Sequence, residues 1–399
     1  MTKKIIITGA SGFIGRQLVP LLVSEGIELL LVGRSAEKLA ALFPEIRNCS
    51  YAEISDAGQG FDALLHLTVL NNDATHLADE FQRVNVELLR ETVFAATRAG
   101  IARFLNVTSF HAFDGKDSEY ARSKRTALDA LDEEKEISVT NIYLPAVYGE
   151  EFTGKLSIVE KFPAFIRPAI LNVLTALLPA MHVSKLAHFL TTELDSAARR
   201  VLLANDQDQN IVYRGGKRLI DLMFCIAVIV FAGWILAIVW ILVRLGSPGP
   251  GIFAQERVGK HSKTFICYKF RTMKAGTRQA GTHELTADAI TGVGAFLRKT
   301  KIDELPQILN ILRGELSLVG PRPGLPVQTR LTEARSAQGV YSVLPGITGL
   351  AQIQGIDMSD PERLADVDAR YIAQRGLLLD IKIVIATFLG RGQGDKVKS

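Results

Sequence analysis

The sequence predicts an α/β protein in two parts: a doubly wound domain first, then an apolar helix and a smaller α/β domain with amphipathic helices. Three observations carry that expectation. Lys3–Thr8 reads as a short buried strand that runs at once into Gly9-Ala-Ser-Gly12-Phe-Ile-Gly15 and a helical pattern. Leu222–Val243 is a run of 22 residues without a charge. The two sides of that run differ in sign: residues 1–213 hold 21 Lys and Arg against 27 Asp and Glu, and residues 214–399 hold 25 against 15. At 399 residues, 48% apolar and 22% charged, the chain has material for two cores and is too apolar for disorder. The expected segments are 1–210, 214–245 and 246–399. Three scattered cysteines (Cys49, Cys225, Cys267) without a CxxC exclude a disulfide scaffold and a zinc ribbon.

In the first segment the glycine turn allows close backbone approach to a pyrophosphate, which would rest on the following helix N-terminus. Gly9, Gly12, Phe13, Ile14 and Gly15 are the expected cradle of a Rossmann-like dinucleotide site. The next strand, Glu28–Val32, ends in Gly33-Arg34 instead of an acid. Arg34 suits a 2′-phosphate, so NADP(H) is expected over NAD. Farther on, Phe104–Val107 leads to Thr108-Ser109, and Tyr120-Ala-Arg-Ser-Lys124 opens a helical stretch. Tyr and Lys four apart share a helix face, so the lysine charge lowers the phenol pKa and makes Tyr120 a proton donor or acceptor. Ser109 would hold a substrate carbonyl or hydroxyl beside it.

With TGASGFIG, Asn85 within RVNVELLRETV, the Ser109/Tyr120/Lys124 set, LPAVYG at 144–149 and MHVSKLA at 181–187, this half resembles the short-chain dehydrogenase/reductase superfamily. The resemblance is to its extended, NAD-dependent epimerase/dehydratase branch, over roughly residues 3–190. It implies chemistry on the sugar of a nucleotide-sugar. Phe110 and His111 follow Ser109 where dehydratases place acids, Lys185 replaces a usual acid, and the Ser109–Tyr120 spacing is short. The expectation is therefore NADP-dependent ketone reduction, on a sugar of 4-keto-6-deoxy type. Epimerisation and a non-catalytic nucleotide-binding scaffold stay open.

The apolar run could cross a ~30 Å hydrocarbon core at a rise of ~1.5 Å per residue. Beyond it, Arg257–Arg278 carries seven basic residues and no acid, with Phe265, Tyr268 and Phe270 interleaved. Such a stripe suits an anionic bilayer or phosphorylated substrates; its place after the apolar run argues against nucleic acid. Asp303-Glu304 precedes Pro306, which suits the first turn of a helix, and Gly314 suits its end. The two acids would then lie at the positive end of a helix dipole, one as nucleophile and one aiding metal binding or proton transfer.

KRLIDL (217–222), GPGIFAQERVGKHSKTF (249–265), YKFRTM (268–273), FLRKTKIDELPQILNILRGELSLVGPRPG (296–324) and LPGITGLAQIQG (344–355) resemble the bacterial sugar transferases, the monotopic phosphoglycosyl transferases. That resemblance implies transfer of a sugar-1-phosphate from a UDP-sugar to polyprenyl (undecaprenyl) phosphate, releasing UMP and starting a polysaccharide or glycoconjugate. It implies Asp303 as nucleophile, Glu304 as partner, Mg²⁺ at Asp303 and Glu304, and Arg298 and Arg322 on phosphates. Lys269 and Arg271 are further candidates for phosphate or headgroup. Cytosolic nucleotides on both sides of the run put both its ends on the cytoplasmic face of the bacterial inner membrane. A re-entrant bend near Ala232-Gly233-Trp234 is therefore expected, although the family's Ser-Pro break is absent there. A homodimer is left open.

Overall fold

The computed structural model describes residues 3–70, 78–113, 118–274, 276–277 and 289–391, so Arg278 of the basic stripe lies outside the described residues. The chain divides into two units, Met1–Leu171 with Pro179–Asn205, and Asn172–Leu178 with Asp206–Ser399.

The first unit is built on β1 (Lys4–Thr8), β2 (Glu28–Val32), β3 (Arg47–Cys49), β4 (Ala63–His66), β5 (Arg103–Ser109) and β6 (Ser138–Leu144). Two short strands, β7 (Ala146–Tyr148) and β8 (Ala180–His182), pair apart from the main sheet, and β9 (Arg200–Leu202) closes its edge. The seven-stranded sheet is parallel in the order β3-β2-β1-β4-β5-β6-β9. Strand order reverses between β1 and β4, where doubly wound sheets open a crevice at their carboxyl ends. The run of isoleucines in β1 follows from burial on both faces. Ile5 and Ile7 join Leu18 and Leu22 in one layer, while Ile6 joins Leu64 and Val93 in the other.

The second unit holds an antiparallel hairpin of β10 (Ile252–Val258) and β11 (Thr264–Phe270), in register from Ile252↔Phe270 to Val258↔Thr264. It also holds a short parallel pair, β12 (Ser317–Val319) and β13 (Gly346–Thr348). Three glycines, Gly320, Gly346 and Gly349, meet there. A Cβ on Gly346 would fall 2.1 Å from the Gly320 nitrogen, and one on Gly349 would fall 2.2 Å from the Gly320 oxygen. Only glycine permits that backbone contact.

The apolar run lies in one helix, Ile211–Gly246, of 36 residues, capped by Asn210 Oδ1 on the Tyr213 amide. At ~1.5 Å per residue it is about 54 Å long. Helical backbone continues through Ala232-Gly233-Trp234, where the sequence reading expects a bend. A lone glycine costs a helix only about 1 kcal/mol, and no proline removes a hydrogen bond there. Tertiary packing flanks this point on both sides: Cys225 and Val228 pack on Ile308, Ile311 and Leu316, and Val239 and Val243 pack on Phe270 and Leu297. One face of the helix thus lies along its own unit on both sides of Gly233. The other face exposes Met223, Val230, Phe231 and Trp234. It is the one described helix long and apolar enough to cross a membrane, by length and composition.

Candidate active sites

In the first unit the glycine turn has the geometry a dinucleotide needs. Gly9 has φ +72°, and a Cβ there would sit 2.9 Å from the Thr68 amide nitrogen. A Cβ on Gly15 would sit 2.5 Å from Ala10 Cα, so the helix Phe13–Ser24 packs tightly against the turn. Gly12 is its N-cap, and the backbone of Phe13 and Ile14 forms the first turn. Gly12 gives this helix end no side-chain cap, which leaves its backbone amides to a pyrophosphate. Arg34 is exposed just past the end of β2.

The carboxyl end of β5 delivers Ser109, and the helix Glu119–Asp132 presents Tyr120 and Lys124 on one face. Ser109 Oγ lies 3.2 Å from Tyr120 Oη, and Lys124 Nζ lies 5.7 Å from the Tyr120 ring centroid. Burial pushes the Lys124 ammonium down to about 7. Two polar residues outside the expected catalytic set join this floor, Asn85, named above only within its motif, and His66. Asn85 accepts from the Leu70 amide at 2.9 Å and donates to Ser123 Oγ at 3.0 Å. His66 Nδ1 lies 2.9 Å from Thr8 Oγ1, next to the glycine turn. Burial, then the Lys124 charge, push His66 down to about 3, so it is neutral. A histidine inside an apolar strand carries no sequence signal of that pairing.

In the second unit, Lys301 adopts φ +57° and turns the chain from the helix Gly292–Thr300 into a 3₁₀ turn, Ile302–Gln307. Asp303 and Glu304 sit inside that turn; the α-helix spans only Ile308–Arg313 before Gly314 at φ +74°. The expected dipole of a longer helix is therefore absent, and side-chain cations take its place. Glu304 Oε1 accepts from Lys269 Nζ at 2.7 Å and from Arg322 Nη2 at 2.7 Å. Burial pushes the Glu304 carboxyl up, but Arg322 and Lys269 outweigh it and hold the group well below the usual carboxylate range. Asp303, 9% exposed, goes the other way. Burial first, then the Glu304 charge, raise it to about 6 against Lys269, Arg298 and Arg322. Arg298 donates from Nε to Thr272 Oγ1 at 3.2 Å.

The structure brings Asp303, Glu304, Lys269, Arg298 and Arg322 together and leaves Arg271 out. Arg271 is buried and donates to the carbonyls of Val243, Ser247 and Pro248. It caps the end of the long helix, which corrects its expected role at phosphate or headgroup. For Mg²⁺, which is commonly held by one or two carboxylates together with substrate phosphates, the donor set is adequate: both cations on Glu304 land on Oε1, and Oε2 takes neither. No group of three or more His, Cys, Asp or Glu side chains converges among the described residues.

Residues 212–392 match the family model for bacterial sugar transferase, and residues 5–185 match that for the NAD dependent epimerase/dehydratase family. Over 171 residues the chain is 40% identical to the "Uncharacterized sugar transferase EpsL" of Bacillus subtilis, covering 43% of this chain and 84% of that one. It is 36% identical over 184 residues to the "UDP-glucose:undecaprenyl-phosphate glucose-1-phosphate transferase" of Caulobacter vibrioides, covering 43% of this chain and 67% of the relative. A protein of the same description from Escherichia coli is 36% identical over 182 residues, and there the chain spans 39% of the relative's length and the match 43% of this chain. Among solved structures, WbmH of Bordetella bronchiseptica with NAD+ aligns at a TM-score of 0.42 and 17% identity, over 56% of this chain and 83% of that one. The chain belongs to the bacterial sugar transferase family, and its first half carries the match to the NAD dependent epimerase/dehydratase family model.

Proposed function

We propose that the second unit transfers a sugar-1-phosphate from a UDP-sugar to polyprenyl phosphate, and that the first is an NADP-dependent ketoreductase for the sugar. The observation that carries the transferase reading is the unlike carboxylate pair: Glu304 locked ionised by two cations, and Asp303 beside it without such a lock. Two carboxyls pushed apart take different roles. Asp303 attacks the phosphorus that bears the sugar; the bond to the UMP oxygen breaks, and UMP leaves with the electron pair. An oxygen of polyprenyl phosphate then attacks the same phosphorus and releases the Asp303 carboxylate. Arg322, Lys269 and Arg298 offset the charge of the phosphates around this carboxylate. Mg²⁺, when bound, would neutralise further phosphate charge, held by Asp303 and Glu304.

In the first unit, NADP(H) when bound supplies hydride to the ketone carbon, with Arg34 receiving its 2′-phosphate. Tyr120 gives its proton to the ketone oxygen, Ser109 holds that oxygen, and Lys124 stabilises the phenolate left behind. The exposed apolar face of the long helix lies in the cytoplasmic leaflet of the inner membrane, and both ends stay on the cytoplasmic side because the helix lies along its own unit. The test supplies the purified protein with NADPH, undecaprenyl phosphate and a panel of UDP-sugars and UDP-4-keto-sugars, and follows UMP release and NADPH oxidation together. Asp303→Asn is expected to abolish UMP release and spare NADPH oxidation. Mass spectrometry of protein given donor without lipid is expected to find a phosphosugar on Asp303; no adduct there removes the nucleophile assignment.

A further inference from the structure

The segment that carries Arg322 is held in an unusual way. In Pro321-Arg322-Pro323-Gly324 every carbonyl is taken. Pro321 O accepts from the Gly346 amide at 2.9 Å and Gly324 O from the Val258 amide at 3.0 Å. Pro323 O accepts from Arg257 Nη1 at 2.9 Å, and Arg322 O from Arg335 Nη1 at 2.8 Å. Two prolines fix φ on either side of Arg322.

Arg335 stands out because it is 1% exposed and its partner Asp368 is 2% exposed. Its Nε and Nη2 both donate to Asp368 Oδ2, at 3.0 and 2.6 Å. A fully buried ion pair is a poor stabiliser, since apolar side chains of similar volume hold two helices together as well or better. Joining the helices Thr329–Ala337 and Pro361–Gln374 therefore does not account for it. What an apolar pair could not supply is the third bond, to the main chain of Arg322.

We propose that Arg335 and Asp368 are positioning residues of the transfer reaction: Arg335, oriented by Asp368, fixes the backbone at Arg322 and so aims the guanidinium that meets Glu304 and the donor phosphates. The proposal rests on the transferase reading above. A group that orients a functional residue typically matters tenfold to a hundredfold without touching substrate.

The test compares full-length wild type, Arg335→Lys, Arg322→Ala and the double variant, with Asp368→Asn as a milder probe of the same bond. The donor is the UDP-sugar turned over fastest in the panel above. Arg335→Lys keeps the charge but cannot fork, and is expected to lower kcat/KM for UMP release about tenfold. Arg322→Ala is expected to lower it about a hundredfold, and the double variant no further, because Arg335 acts only through Arg322. Hydrogen exchange of the peptide spanning 316–328 is expected to quicken in Arg335→Lys and Asp368→Asn, with the peptide spanning 302–315 unchanged. Losses that multiply in the double variant, or exchange that stays the same in 316–328, overturn the proposal. A wild type that releases no UMP overturns the transferase reading instead, and the exchange result then still decides whether Arg335 holds this segment.

Discussion

The two candidate sites bury ionisable groups to a similar depth and treat them in opposite ways. In the first unit no anion compensates Lys124 or His66 among the causes acting on them, so burial drives both toward their neutral forms. In the second unit Glu304 keeps its charge because Lys269 and Arg322 converge on one of its oxygens. The difference matches the chemistry proposed for each. Proton transfer at neutral pH needs groups that titrate near 7, whereas the transfer site sets fixed charges, Glu304 with its two cations, beside the one carboxyl that does titrate, Asp303. Burial alone does neither; the number of opposite charges brought within ~3 Å decides which outcome follows.

The largest effect that would break this comparison is in the first unit. Tyr120→Phe is expected to cut NADPH oxidation by about 10²–10⁴-fold, the usual worth of a positioned proton donor, while UMP release is unchanged. Equal loss of both activities would mean that the residue supports the fold and not the chemistry. Glu304→Gln comes next. It removes the anion between two half-buried cations, and breaking such a pair from one side costs at most about 3–5 kcal/mol. Chemical unfolding monitored on the second unit is expected to show that loss. Glutamine of near-identical shape that left stability untouched would mean that Lys269 and Arg322 find other partners.

How much of this could be read from the chain alone follows from the range of each signal. The strand, glycine turn and helix at residues 4–24 are local, and so were legible. Tyr120 and Lys124 share a helix, and Asp303 and Glu304 are adjacent, so their proximity needed no fold. Lys269 meets Glu304 from 35 residues away and Arg322 from 18, and the family pattern identified them where spacing could not. Arg271 shows what charge pattern hides: two residues after Lys269 it is buried and turned to the carbonyls that end the long helix. The continuity of that helix through Gly233 was equally illegible, because it packs on side chains far downstream, Ile308 and Ile311 before the glycine and Phe270 and Leu297 after it. The capping bond from Arg335 to the Arg322 carbonyl links positions whose side chains carry no shared pattern.

Two smaller effects sharpen the comparison. Asp303, raised to about 6, must be ionised to attack, so UMP release under subsaturating donor is expected to fall about tenfold per pH unit below 6. The Glu304 charge is the second cause of that rise, so the acid limb is expected to move to lower pH in whatever activity Glu304→Gln retains. A limb that stays in place would assign it to some other group.

The smallest effect concerns Lys124 and has the unusual sign. Its folded-state value near 7 lies below the ordinary 10.5, so between those values the unfolded chain binds the extra proton and stability rises with pH. Below 7 the folded protein carries the whole penalty of a buried cation. Lys124→Met removes that penalty at similar volume, and at pH 7 is expected to stabilise the cofactor-free first unit by ~1 kcal/mol, or ~2–4 °C in Tm, while abolishing NADPH oxidation. The gain is expected to vanish as the pH of the melt approaches 10.5, where the wild-type lysine is neutral in both states. A variant that is less stable than wild type at pH 7 would show that Lys124 is held by a favourable contact in the folded state, and the contrast with Glu304 would then collapse.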